Sequence, residues 1–153
     1  GDSAGGGLAL ALLAHLCQAG QPPAGLFAFS PWTDLTLSGA SMVENRDSEV
    51  ILPPHRVKEA ADLVRGALAP DDPRISPLFA DFPACPPVLI QVGDREVLRD
   101  DSRRMAARLN ARLSVWPGCP HVWQMFDGYL PEARQALVET AEFITYLADR
   151  TVR

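Results

Sequence analysis

The chain has 153 residues, of which 47% are hydrophobic and 22% charged, a composition typical of one soluble globular domain rather than a disordered or collagen-like chain. Its formal net charge is -5, and no run of Lys or Arg forms a stripe that could follow phosphates, which argues against nucleic acid as a partner. The longest apolar stretch, residues 8–16, is interrupted by His15 and is too short to span a membrane.

A helix and a strand are the first elements in chain order. Residues 4–19 are rich in Ala, Leu and Gly and are followed by Gly20, which predicts a buried helix with a glycine at its C-terminal end. Residues 25–30 form a short apolar and aromatic run closed by Pro31, as expected of a strand covered on both faces. A loop over residues 32–51 follows.

The middle of the chain contains an amphipathic helix and the strongest strand pattern. Two prolines open the helix, which covers residues 55–68. An irregular, proline-rich connection over residues 69–87 then leads to the strand at residues 88–92, which Gly93 ends.

The last part of the chain is predicted to contain three more elements. They are a helix over residues 102–110 with Asp100 and Asp101 as caps, a strand over residues 113–116, and a helix from Pro131 to about Asp149. Strands that alternate with helices in this way predict an α/β architecture with a mainly parallel sheet and flanking helices.

The first five residues, Gly1-Asp2-Ser3-Ala4-Gly5, fit the G-x-S-x-G pattern of a nucleophile elbow. In such an elbow the serine sits on a strained turn between a strand and a helix, and the flanking glycines let two backbones pass closely. Ser3 is therefore a candidate nucleophile. Taken alone, the pattern fits equally well a glycine-rich helix start with no catalytic role.

Acidic residues follow the strongest strand, at the end where open α/β sheets place their site residues. Asp94 and Glu96 are both candidates for orienting a catalytic histidine, whereas Asp100 and Asp101 are explained as helix caps. Ser3, this acid and the later His121 then occur in the chain order expected of an α/β-hydrolase.

His121 is the best candidate for the catalytic base among the three histidines. It lies in a loop rich in Pro and Gly that follows the last predicted strand, whereas His15 and His55 lie on predicted helices. Cys119 is close to His121, but no second Cys/His pair has the spacing of a zinc site. We therefore expect no metal.

These residues resemble the hormone-sensitive-lipase-like branch of the α/β-hydrolases, a group of carboxylesterases. Four segments carry the resemblance, which covers nearly the whole chain: GDSAGG at residues 1–6, SPWTDLT at 30–36, DPRISPL at 72–78 and PPVLIQVG at 86–93. The resemblance implies the C-terminal half of an α/β-hydrolase fold, a partial domain over residues 1–153 that begins at the elbow. It also implies that residues 53–68 belong to a helical cap.

The resemblance further implies a catalytic triad of Ser3, Glu96 and His121, with the backbone N–H of Ala4 in the oxyanion hole. Glu96 falls where many members carry an aspartate, and His-Val-Trp at residues 121–123 replaces the more common His-Gly-Phe. The first of these departures leaves the choice between Glu96 and Asp94 open. The variant pattern is similar to a subgroup of esterases and lactone hydrolases.

The expected function is that of a serine carboxylester hydrolase, acting on a small-molecule ester or lactone and needing no cofactor. The sequence contains no match to the His-Gly-Gly-Gly-like loop that supplies oxyanion donors in the family, so we expect a truncated chain. The alternatives are a non-catalytic fragment and a binding or dimerisation module, which could form a homodimer. Three widely spaced cysteines favour a reducing, cytoplasmic compartment over a disulfide framework.

Overall fold

Three parallel strands and the helices around them make up the computed structural model, which describes residues 1–151. The elements in chain order are α1 (Ser3–Gln18), β1 (Leu26–Phe29), α2 (Ser41–Glu44), α3 (Pro54–Arg65), β2 (Val88–Gly93), α4 (Arg99–Leu109), β3 (Arg112–Trp116) and α5 (Pro131–Thr151). Short 3-10 helices cover Pro77–Phe79 and Trp123–Phe126. The predicted α/β class with a parallel sheet is confirmed.

The strand order is β1-β2-β3, so the strand with the strongest sequence pattern is the central one. Every residue of β2 is buried, because helices cover both of its faces. Ile90 pairs with Ala28 on one side and with Leu113 on the other. The core beside it is built from apolar side chains of α1, β2 and α4: Leu10, Leu13, Cys17, Val88, Ile90, Met105 and Ala106.

The N-terminal residues are attached to the outer side of β1. Asp2 forms an isolated parallel bridge with Phe29, and the Phe29 N–H donates to the Gly1 carbonyl at 3.0 Å. Helix α1 then packs directly on the loop after β1, where a Cβ on Gly7 would lie 2.0 Å from the Trp32 carbonyl oxygen. Only glycine permits this approach, which places the start of α1 at the carboxyl edge of the sheet.

Helix α4 begins at Arg99 rather than at residue 102, and Leu98 is its N-cap residue. The interpretation of Asp100 and Asp101 as caps is therefore wrong, since both lie inside the first turn. Their carboxylates instead accept hydrogen bonds from the loop after β1 and from the first residue of α2. The Asp101 Oδ2 atom accepts the N–H groups of Thr33 and Asp34 at 2.8 and 2.9 Å, and Asp100 accepts the N–H of Ser41 at 2.9 Å.

The buried Asp101 carboxylate should make stability depend on pH. Burial raises its pKa to about 7 from 3.8, so the ionised form is less favourable in the folded chain than in the unfolded chain. The contribution of Asp101 to the free energy of unfolding should therefore fall as the pH rises from about 4 to about 7, by at most a few kcal/mol. Asp101→Asn removes this titration. Urea unfolding should show the variant gaining stability relative to the wild type between pH 4 and pH 8, whereas a constant difference would contradict the prediction.

Candidate active site

Ser3 occupies a sharp turn at the first residue of α1. Its φ of 51° is left-handed, and Asp2 before it is extended with φ -128° and ψ 152°. A non-glycine residue with positive φ is uncommon and strained, as expected of a nucleophile elbow. Gly1 is needed because a Cβ there would lie 2.5 Å from the Gly5 carbonyl oxygen.

Ser3, His121 and Glu96 form one continuous chain of hydrogen bonds. The Ser3 Oγ atom lies 2.8 Å from His121 Nε2, and His121 Nδ1 lies 2.8 Å from Glu96 Oε2. The three residues come from the start of α1, the loop after β3 and the loop after β2. Parallel strands end at the same edge of a sheet, which is why residues far apart in sequence meet here.

Glu96, not Asp94, is the acid that contacts the histidine. Asp94 turns away, and its Oδ1 accepts the N–H of Gly118 at 2.8 Å in the turn that precedes His121. Its backbone N–H donates to the Trp116 carbonyl at 3.0 Å. Asp94 therefore holds together the two loops that carry Glu96 and His121 without touching the imidazole.

The Glu96 carboxylate is fully buried and has a hydrogen bond at each oxygen. Its Oε1 accepts the Gly93 N–H at 2.6 Å and the Ser30 hydroxyl at 2.7 Å, which leaves Oε2 for His121. Burial raises the pKa of Glu96, and the interactions with His121, Gly93 and Ser30 oppose the rise. A buried carboxylate with these donors can remain ionised and can hold the Nδ1 proton of His121.

Gly93 allows the acid-bearing and histidine-bearing loops to meet. A Cβ at this position would lie 2.1 Å from the Cys119 carbonyl oxygen, a distance that no side chain could tolerate. The glycine that ends β2 therefore permits the close packing on which the contact between Glu96 and His121 depends.

Ala4 follows Ser3 in the first turn of α1, where backbone N–H groups have no acceptor within the helix. It also lines an apolar pocket of about 120 Å³ together with Leu8, Trp32, Leu35 and Val64. A second apolar pocket, of about 100 Å³, lies between Trp32 and the α3 residues Val57 and Ala60. Trp32 thus lies between α3 and the residue after the elbow.

Two polar residues around the acid-bearing loop were missed by sequence reasoning. Asn45 donates from Nδ2 to the carbonyls of Asp94 and Glu96 at 2.8 and 2.7 Å, and Ser30 donates to the Glu96 carboxylate. Nothing in the loop sequence around Asn45 indicates this contact. Ser30 could have been found, because it ends a predicted strand at the same sheet edge as the acid.

Val122, directly after His121, has a φ of 50° although its side chain is β-branched. Such a residue in the left-handed region is strained. Ala and Gly variants both remove the buried methyl groups, but only Gly removes the strain. We expect Val122→Gly to be more stable than Val122→Ala by about 1 kcal/mol, the reverse of the usual order. Chemical denaturation checks this, and an Ala variant at least as stable as the Gly variant would contradict it.

Residues 1–151 contain neither a metal-binding cluster nor a membrane-spanning helix. No group of three or more His, Cys, Asp or Glu residues in this range is arranged to hold a metal ion. No helix in the same range is long and apolar enough to cross a membrane.

A family model described as alpha/beta hydrolase fold matches residues 1–125. The chain belongs to the α/β-hydrolase fold family. Among solved structures, an esterase from the bacterial hormone-sensitive lipase family is 42% identical with a TM-score of 0.89, over 94% of this chain and 50% of that one. The resemblance to the hormone-sensitive-lipase-like branch is thereby confirmed.

Curated relatives of this α/β-hydrolase include two bacterial enzymes. An esterase of Acinetobacter venetianus is 40% identical over 96% of this chain and 51% of its own length. An acetyl-hydrolase of Streptomyces hygroscopicus is 40% identical over 94% of this chain and 50% of its own length. The chain spans about half the length of the curated relatives it matches.

Proposed function

We propose that this α/β-hydrolase chain carries the catalytic triad of a serine carboxylester hydrolase. The observation that supports the proposal is the hydrogen-bonded chain from Ser3 through His121 to Glu96, which starts at a strained elbow. The names of the relatives, esterase and acetyl-hydrolase, agree with this chemistry.

The proposed reaction proceeds through an acyl-enzyme. His121 Nε2 accepts the Ser3 proton as Oγ attacks the ester carbonyl carbon, and Glu96 stabilises the imidazolium that forms. The Ala4 N–H donates to the oxyanion. The tetrahedral intermediate then expels the alcohol, which takes its proton from His121. Water attacks the acyl-enzyme by the same proton route and releases the acid and free Ser3.

We propose that α3, within residues 53–68, serves as a cap-type helix over the substrate. Its residues Val57 and Val64 line the two apolar pockets that flank Trp32. One of these pockets includes Ala4, the proposed oxyanion donor, so the acyl or alcohol group of an ester would have an apolar surface beside the reacting carbonyl.

The test combines labelling and turnover, on this chain and on the complete gene product. A fluorophosphonate probe should modify Ser3, as mapped by mass spectrometry, and p-nitrophenyl acetate or butyrate should be hydrolysed. Ser3→Ala should abolish both. If neither protein is labelled at Ser3 under conditions in which it is folded, the proposal is wrong.

The substrate assignment extends to lactones, which present the same ester carbonyl in a ring. The same assay with δ-valerolactone in place of the p-nitrophenyl esters compares the two classes. A higher kcat/KM for the lactone would favour a lactone hydrolase with the same triad.

We also propose that the protein can form a homodimer through the outer face of α1. Leu8 and Leu12 on this face are 72% and 55% exposed. Exposed apolar patches are typical of interaction surfaces. Light scattering should give a dimeric mass that falls to the monomer value in the Leu8→Glu/Leu12→Glu variant.

The three cysteines support a cytoplasmic location. Cys17, Cys85 and Cys119 are all free thiols, and this state is typical of proteins from reducing compartments. Cell fractionation with an antibody against the protein tests this assignment.

A further inference from the structure

Ser30 links the two loops that carry the proposed acid and base. It follows β1 directly, its side chain is fully buried, and its φ is 47°. Its backbone N–H donates to the Gln91 carbonyl of β2 at 2.8 Å, so the residue is fixed to the central strand. This left-handed position points the hydroxyl toward the site rather than along the sheet.

The hydroxyl of Ser30 makes two hydrogen bonds whose directions are determined by chemistry. A hydroxyl has one proton, and an ionised carboxylate can only accept, so the proton goes to Glu96 Oε1 at 2.7 Å. The backbone N–H of Val122 can only donate, and it donates to the Ser30 Oγ at 3.2 Å. Ser30 therefore connects the acid to the residue that follows the histidine.

A glutamate in this position needs such an anchor more than an aspartate would. Its side chain has one more rotatable bond, so holding its carboxylate in a single orientation costs more conformational entropy. Ser30 and the Gly93 N–H together hold Oε1 and thereby direct Oε2 at His121 Nδ1.

We propose that Ser30 is a positioning residue for the triad. Its hydroxyl fixes the orientation of the Glu96 carboxylate and stabilises the ionised form of Glu96 within its buried site. The same hydroxyl also holds the backbone N–H of Val122, the residue next to His121. This inference rests on the proposed function, because it assigns Ser30 a role in the same site. It adds a fourth side chain to that site, one that does not touch the substrate.

The test compares three variants in the complete gene product. Ser30→Ala removes the hydroxyl, and Ser30→Gly removes the hydroxyl together with the strain of the positive φ. Ser102→Ala is the matched control, since Ser102 is also buried and its hydroxyl has no hydrogen-bond partner within the described part of the chain. We expect kcat to fall about tenfold to a hundredfold in both Ser30 variants, with KM within about twofold.

Two further readouts distinguish positioning from a structural role. The loss of a donor to the carboxylate should move the acid limb of the pH profile of kcat. The proton resonance of His121 Nδ1–H, in the far-downfield region of the NMR spectrum, should shift or broaden in both Ser30 variants and not in Ser102→Ala. Recovery of activity in Ser30→Gly would assign the effect to backbone strain and overturn the proposal.

The NMR measurement keeps this inference separate from the proposed function. The resonance reports the hydrogen bond between His121 and Glu96 whether or not the protein turns over an ester. If Ser3 is not labelled and no ester is hydrolysed, the proposed function fails, and the resonance still tests Ser30. If the wild type is active and Ser30→Ala leaves kcat, the pH profile and the resonance unchanged, only the role of Ser30 is wrong.

Discussion

Replacement of His121 by Gln is expected to lower kcat/KM for a p-nitrophenyl ester by about ten-thousand- to a million-fold. The His121 Nε2 atom is the acceptor that lies 2.8 Å from the Ser3 hydroxyl, and a glutamine amide cannot serve as a general base there. Labelling of Ser3 by a fluorophosphonate should slow in parallel, because the same proton transfer activates the serine. Steady-state kinetics and a labelling time course measure the two effects.

The other two histidines of the chain provide matched controls. His15 lies on α1 and His55 on α3, and both side chains are exposed. His15→Gln and His55→Gln should each leave kcat/KM within about twofold, since both side chains are exposed and neither lines the two apolar pockets beside Trp32. A loss at His55 comparable with the loss at His121 would contradict the assignment of the base. Thermal unfolding of each variant excludes misfolding as the cause.

The parts of the site that local patterns specify could be predicted from the sequence. The G-x-S-x-G pattern placed Ser3 at the start of a helix, and the apolar run at residues 88–92 marked the central strand. The acid and the histidine were then expected at the ends of successive strands. Parallel topology is what converts this order in the sequence into proximity in space.

Features that depend on long-range contacts could not be predicted in the same way. Asp100 and Asp101 are residue types that often cap helices, but their carboxylates accept hydrogen bonds from the loop after β1 and from the start of α2. The helix can then start three residues earlier, at Arg99. Asn45 likewise supports the acid-bearing loop from 49 and 51 positions away in sequence, and no spacing pattern in the sequence reports such a contact.

The end of α3 shows the opposite case. Here a single local residue sets where the helix ends, and the apolar pattern predicts the wrong end point. The pattern extends to Leu68, but the helix ends at Arg65 because Gly66 adopts a φ of 54°. Glycine takes up this left-handed conformation at little cost and stops the helix. The apolar positions beyond it therefore belong to the connection that leads toward the second strand.

The second large effect on activity is expected at Glu96, the acid that contacts His121 in place of Asp94. We expect Glu96→Gln to lower kcat by about ten-thousand-fold. The site dictates how the new amide is oriented. Gly93 N–H and Ser30 O–H both donate toward Oε1, so the amide oxygen should occupy that side and the NH₂ group should face His121 Nδ1.

An NH₂ group at this position has a specific consequence for the imidazole. It donates to Nδ1, so the neutral ring must carry its proton on Nε2, and Nε2 can then no longer accept the proton of Ser3. The variant should therefore lose activity while retaining its fold. Nitrogen chemical shifts of His121 should report the change of tautomer, which a general loss of structure would not produce.

Asp94→Asn is the matched control for this substitution, since it makes the same chemical change two residues away. The Asn oxygen can still accept the Gly118 N–H, and the side chain at this position does not contact His121. We therefore expect kcat to change by no more than a few fold. Equal losses in the two variants would mean that the carboxylates share the role, and a larger loss at Asp94 would reverse the assignment. Because Glu96 Oε2 lies 2.8 Å from Nδ1 and the Asp94 carboxylate instead accepts the Gly118 N–H, the difference between the two variants measures what the Glu96 carboxylate contributes by fixing the histidine tautomer.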